Sequence, residues 1–136
     1  MATLFTRILN KQIPAEMLYE DDQCMVILDI APVNKGHALV ISRNEYETIG
    51  DCPDEELAHL MAVVKRTAAQ LEEQLGADGY NVLINNRPPS GQEVPHLHIH
   101  VIPRFSGDGK SPLFRKERYS EGEMAHTAQQ LAFNRV

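Results

Sequence analysis

The stretch Pro95-His96-Leu97-His98-Ile99-His100-Val101-Ile102 sets three histidines in strict alternation with apolar residues. Alternation with period two marks a β-strand with two unlike faces. The segment 95–102 therefore predicts a strand carrying His96, His98 and His100 on one side and Leu97, Ile99 and Val101 on the other. Residues two apart on a strand are separated by roughly 6.5–7 Å, which lets several imidazoles surround one small anionic group. Half of the six histidines of the chain fall in this row.

Working outward, the loop 85–94 before the row is rich in Pro, Gly and polar residues, and 80–84 before it reads as another strand. Further upstream, Pro53 followed by Asp54-Glu55-Glu56 has the composition of a helix start, Pro53 suiting the first helical position. Leu57, Leu60, Met61, Val64, Ala68, Leu71 and Leu75 continue one apolar face to Gly76, a natural stop. Near the start, Leu4, Phe5, Ile8 and Leu9 recur at helical spacing and predict a short helix ending before Pro14. The runs 17–19 and 24–29 flank the acidic turn 20–23 as a β-hairpin, and His37 to Ser42 forms the next strand. Ser120 with Glu123 has capping-box spacing ahead of a C-terminal helix. Strands clustered before and after one main helix predict an α+β domain with an antiparallel sheet.

The 136 residues, 43% of them hydrophobic, suffice for one domain with its own core. A formal net charge of −6 argues against a surface built for nucleic-acid backbones. Cys24 and Cys52 stand far apart and outside any CxxC spacing, so neither a disulfide framework nor a zinc knuckle is indicated, and a cytoplasmic location is expected. No signal-type h-region and no apolar run of membrane-spanning length is present, so neither secretion by that route nor a membrane partner is expected.

The histidine row admits three chemistries. It can be the solvated face of a strand. It can supply two imidazoles to a metal, although the stretch lacks a carboxylate or thiol at a suitable spacing and only His37 is available as a distant ligand. Or it can act at phosphorus: a neutral imidazole approaches an anionic phosphate without charge repulsion, and its adduct stays reactive toward water. That chemistry needs an acceptor to hold the second ring nitrogen and donors around the phosphoryl oxygens. Asn85, Gly91 and Gln92 in the adjoining loop are candidates, and the plain alternative for Asn85 and Gln92 is that they satisfy loop backbone groups.

With the row as its signature, the chain resembles the histidine-triad hydrolases and nucleotidyl transferases, and in particular their Hint-like branch. The resemblance runs over about residues 2–105. It is carried further by Leu4-Phe5-Thr6-Arg7-Ile8-Leu9, Ile13-Pro14-Ala15, Tyr19-Glu20-Asp21-Asp22, Leu28-Asp29-Ile30-Ala31-Pro32, Gly36-His37-Ala38-Leu39-Val40-Ile41 and Gly91-Gln92-Glu93-Val94-Pro95. It implies a five-stranded antiparallel sheet with two main helices, extended across a homodimer. On this basis residues 1–105 form the family domain, and 106–136 a C-terminal extension of the same unit.

The resemblance further implies that His98 attacks the α-phosphate of a purine nucleotide, with the carbonyl of His96 holding its tautomer. His96 is architectural and bonded toward His37. His100, Asn85, Gln92 and loop amides near Gly91 hold the phosphate, and Asp29 binds the ribose hydroxyls. Phe5, Ile8, Ile27, Leu28, Ile30 and Leu39 form the apolar walls around the base. By periodicity alone Phe5, Ile8, Ile27 and Leu39 are core residues, and Asp29 before Pro32 can simply start a turn.

The implied reaction is cleavage of purine nucleoside phosphoramidates or related conjugates through a nucleotidyl-histidine, with no metal and no cofactor. Alternatives are a dinucleoside polyphosphate hydrolase or a low-turnover nucleotide-binding module. Three departures stand out. Glu93 replaces a serine of the phosphoramidate-cleaving relatives, Arg87 falls where many relatives have glycine, and the tryptophan that closes the partner's site in some relatives has no counterpart. The cysteines and additional histidine of one zinc-binding branch are likewise unmatched.

Overall fold

The computed structural model describes residues 2–110 and 114–136. Helix α1 (Leu4–Leu9) is followed by strands β1 (Met17–Glu20), β2 (Cys24–Leu28) and β3 (Ala38–Ser42), then helix α2 (Asp54–Leu75), strands β4 (Gly79–Leu83) and β5 (His98–Arg104), and helix α3 (Glu123–Leu131). The five strands form one antiparallel sheet in the order β1-β2-β3-β5-β4. This is the α+β class read from the sequence, with α2 and α3 as its two longer helices.

Each face of the sheet has its own core. On one face, α2 packs chiefly over β3 and β5 and encloses Val26, Val40, Leu60, Leu97, Ile99 and Val101. On the other, α1 and its flanks cover Met25, Ile27, Leu39 and Ile41. The alternation of β2 and β3 explains both cores, since residues of opposite parity are buried under different layers.

The boundaries differ from expectation in ways that backbone chemistry accounts for. The last strand begins at His98 rather than Pro95. Pro95 has no N–H to give a ladder, and the His96 N–H turns back to the Val94 carbonyl at 2.8 Å. Pro53 is the N-cap residue of α2 and not its first helical residue. The buried face of α2 takes in Val63 and Thr67, whereas Met61 and Leu75 are exposed. Thr67 is accommodated because its hydroxyl donates to the Val63 carbonyl at 2.8 Å. Gly76 stops the helix in the left-handed conformation (φ 66°). Glu123 still reaches back to the Ser120 N–H at 2.9 Å, but α3 starts at Glu123, two residues later than a capping box requires. None of its residues is buried.

Candidate active site

The three histidines form one row, of which His96 and His98 meet α1 through Phe5. The Phe5 ring meets His96 edge-on at 5.7 Å and His98 at 4.9 Å, and His98 meets His100 at 5.0 Å between centroids. His96 is fully buried and His98 is 7% exposed. Strand register puts Ile41 beside His98 and Leu39 beside His100, with Ile27 beyond Leu39. Phe5, Ile8, Ile27 and Leu39 therefore share one cluster next to the row.

The hydrogen bonds determine where the protons sit. His98 Nδ1 lies 2.7 Å from the His96 carbonyl. A carbonyl only accepts, so Nδ1 carries the hydrogen and Nε2 keeps a lone pair. His96 Nε2 faces the Ser42 carbonyl at 2.6 Å, so this ring is protonated on Nε2 and its Nδ1 accepts from the Thr3 hydroxyl at 2.6 Å. His37 Nδ1 accepts the Val33 N–H at 3.1 Å, which leaves its Nε2–H to donate to His100 Nδ1 at 2.9 Å. His100 is then protonated on Nε2. The strand thus carries a ring with a basic Nε2 beside a ring with a donor Nε2.

Burial keeps all four rings neutral. It lowers the pKa of His37, His96 and His98 below the ordinary imidazole value. His100 falls to about 4, first through burial and then through its neighbours His98 and His37. The nearby Asp29 carboxylate opposes the shift in His37, His98 and His100 without reversing it. Asp29 itself is anchored at the end of β2: its Oδ1 accepts the Ala31 N–H at 2.9 Å, and its Oδ2 lies 3.7 Å from His37 Nε2.

Several expected contacts are replaced by others. His96 bonds Thr3 and Ser42, and it is His100 that pairs with His37. Gln92 is buried with both ends of its amide engaged, Oε1 accepting the Arg87 N–H at 2.6 Å and Nε2 donating to the Glu47 carbonyl at 2.7 Å. The Gly91 N–H closes the loop onto the Pro88 carbonyl at 2.9 Å. Gln92 and the Gly91 N–H are thus engaged within the protein in this structure. Asn85 is half-buried and its amide takes no hydrogen bond among the described residues.

Leu28 has the opposite parity to Ile27, and it lines a groove against α2 on the far face of the sheet, so it cannot wall the histidine side. Ile30 is 99% exposed and belongs to no core. Glu93 is exposed at the mouth of the loop. Thr3 and Ser42 are functional neighbours that sequence reasoning missed. Thr3 caps α1, accepting the Thr6 N–H at 3.2 Å, and a cap signal could have found it. Its contact with His96 spans 93 positions and leaves no local trace.

Among the described residues, two groups have donor atoms close enough to share a cation: Asp29, His37 and His100 within the site, and Asp21, Cys24 and His59 outside it. No helix among the described residues is long and apolar enough to cross a membrane.

Comparison with known proteins agrees with this geometry. Residues 10–107 match the HIT domain. The chain is 47% identical over 107 residues to an uncharacterized HIT-like protein of Methanocaldococcus jannaschii, covering 79% of this chain and 82% of that one. It is 36% identical over 105 residues to an adenylylsulfatase of Arabidopsis thaliana, covering 77% of this chain and 53% of that one. The crystal structure of a HIT family member from Bacillus subtilis superposes with a TM-score of 0.84 at 30% identity, over 98% of this chain and 100% of that one. A row of three imidazoles with fixed tautomers, two of them buried and His100 half-buried, on the fold and within the sequence pattern of these relatives, is the histidine triad itself, and the chain belongs to the HIT family, close to its Hint-like branch.

Proposed function

We propose that the protein transfers or hydrolyses the nucleoside monophosphate group of purine nucleoside phosphoramidates or related conjugates, through a nucleotidyl intermediate on His98. The observation that carries this reading is the pairing of tautomers. His98 Nε2 holds a lone pair because Nδ1–H is committed to the His96 carbonyl, while His100 holds its hydrogen on Nε2 because His37 donates to its Nδ1. In the first step Nε2 of His98 attacks the α-phosphorus as the bond to the leaving nitrogen or oxygen breaks, the leaving atom keeping the electron pair and taking a proton from solvent. The ring becomes cationic, and the His96 carbonyl and the Asp29 charge stabilise it. The His100 Nε2–H faces the phosphoryl oxygens, and Asn85 is read as a second donor to them. Water then attacks phosphorus and gives up a proton to solvent, the N–P bond breaks with its electron pair returning to Nε2, and neutral His98 is regenerated. Asp29 receives the ribose diol, Phe5, Ile8, Ile27 and Leu39 the base, and Glu93 stands on the leaving-group side. The Arabidopsis relative is named an adenylylsulfatase, which supports an adenylyl-type substrate here.

The same reading includes a homodimer and a cytoplasmic place of action. Strand β4 is a sheet edge with Tyr80, Val82 and Leu83 exposed, a template for a second copy. Both cysteines are free, as suits a reducing compartment. Segment 106–136 is read as part of the same unit.

Intact-protein mass spectrometry after rapid mixing with adenosine phosphoramidates and with dinucleoside polyphosphates tests the chemistry. The expected result is a single adenylyl adduct located on His98 with the phosphoramidates. An adduct on another residue, or turnover by His98→Ala at the wild-type rate, refutes it. Preferential turnover of dinucleoside polyphosphates reassigns the substrate class.

A further inference from the structure

On the face of the sheet away from the histidine triad, three unlike ligand groups converge. Asp21 follows β1 and Cys24 opens β2, so the turn of the hairpin presents a carboxylate and a thiol three positions apart, and His59 comes from the second turn of α2. Their ligand atoms all lie within 4.8 Å of one another. We propose that Asp21, Cys24 and His59 form a site for a borderline divalent cation with the ligand preferences of zinc, which clips the β1–β2 hairpin to α2.

The ligand set and its surroundings support this. A thiolate, an imidazole and a carboxylate suit a borderline divalent ion, and two ligands from a hairpin turn joined by one from a helix is a workable tetrahedral arrangement with water as the fourth ligand. The Asp21 carboxylate is already aimed, with Oδ1 accepting the N–H groups of Gln23 at 2.8 Å and Cys24 at 2.9 Å, and Oδ2 accepting the Tyr19 hydroxyl at 2.8 Å. Cys24 is fully buried, while the His59 side chain is 35% exposed and opens the group to solvent on one side. His59 Nε2 rests 2.7 Å from Asp21 Oδ2. Bond lengths of about 2.0–2.1 Å from nitrogen and oxygen to a shared tetrahedral ion require that separation to widen by roughly 0.6 Å, a movement open to a side chain on a helix surface.

On binding, the Cys24 thiol releases its proton to solvent, and His59 moves its hydrogen to Nδ1 and coordinates through Nε2. The charges of the ion, the thiolate and Asp21 then cancel. Arg43, whose charge acts on Cys24, is itself paired with Glu20 at 2.5 Å. A clip here has a mechanical purpose, because α2 packs chiefly over β3 and β5 while a groove of about 890 Å³ lined by Leu18, Val26, Leu28, Val63, Leu71 and Leu75 separates it from the hairpin.

The full chain, reduced and freed of metal with a chelator, is titrated with Co²⁺ and then Zn²⁺ while absorbance is recorded. The expected result is a thiolate-to-cobalt charge-transfer band with tetrahedral ligand-field bands, saturating at one ion per chain and erased by Zn²⁺. Cys24→Ala abolishes the charge-transfer band, Cys52→Ala leaves it, and His59→Gln weakens Co²⁺ binding about tenfold or more, since a direct ligand matters at least as much as the outer-shell partners of a metal. The group Asp29, His37 and His100 contains no sulfur, so binding without a charge-transfer band places the ion there and overturns the proposal. So does a band that follows Cys52, or unchanged affinity in His59→Gln. His59→Gln alters a partly exposed residue, so it decides the matter even if Cys24→Ala fails to fold.

Discussion

At the scale of single residues, backbone geometry and proton position decide the chemistry. Arg87 sits at φ 73° and ψ 157°, a conformation that glycine adopts freely and a side chain does not. The loop imposes it: the Arg87 N–H is held by Gln92 Oε1 at 2.6 Å, and its carbonyl accepts the Ser90 hydroxyl at 2.8 Å. Arg87→Gly is therefore expected to raise stability by about 1 kcal/mol, read as a higher urea midpoint at unchanged slope. For His98 the expectation concerns rate. His98→Ala loses more than about a thousandfold in kcat while nucleotide affinity, measured by calorimetry, changes little. The lowered pKa of His98 keeps its Nε2 lone pair available below the ordinary imidazole range, so the acid limb of kcat/KM is expected below pH 6.5.

At the scale of elements, α1 is too short to persist alone, having six residues and so fewer than two turns. Tertiary contacts hold it. Phe5 and Ile8 are buried against the sheet, and Thr3 joins the helix cap to the His96 ring. Thr3→Val removes the cap and leaves the buried His96 Nδ1 without its donor, so it is expected to destabilise the fold by about 1–2 kcal/mol. Near-ultraviolet circular dichroism and the thermal midpoint check this. Kinetics separate positioning from mere loss of stability: kcat of the folded variant falls, and Thr3→Ser restores it. Helix α1 is legible from the helical spacing of Leu4, Phe5, Ile8 and Leu9, but its Thr3 cap was not read. Its docking is not legible, because no local pattern encodes which ring a cap hydroxyl meets.

At the scale of the whole molecule, the neutral histidines couple stability to pH. Their folded pKa values lie below the ordinary 6.5, so below that pH the unfolded chain binds protons that the folded one refuses. Stability is complete above pH 6.5 and is lost as pH falls toward the folded value, about 4 for His100. Between pH 7 and 5 a loss on the order of 1 kcal/mol is expected, visible as a falling urea midpoint, and His100→Asn should flatten the slope. The α+β architecture, the triad and the main helix followed from the sequence alone, because period-two and helical alternation are local statements about which faces meet water. Only the tertiary structure decided that His37 serves His100, that Gln92 braces its own loop, that Leu28 faces away from the triad, and that Asp21, Cys24 and His59 meet. Each of these depends on strand register or on how a loop closes, and both are set by the packing of distant segments rather than by neighbours in the chain.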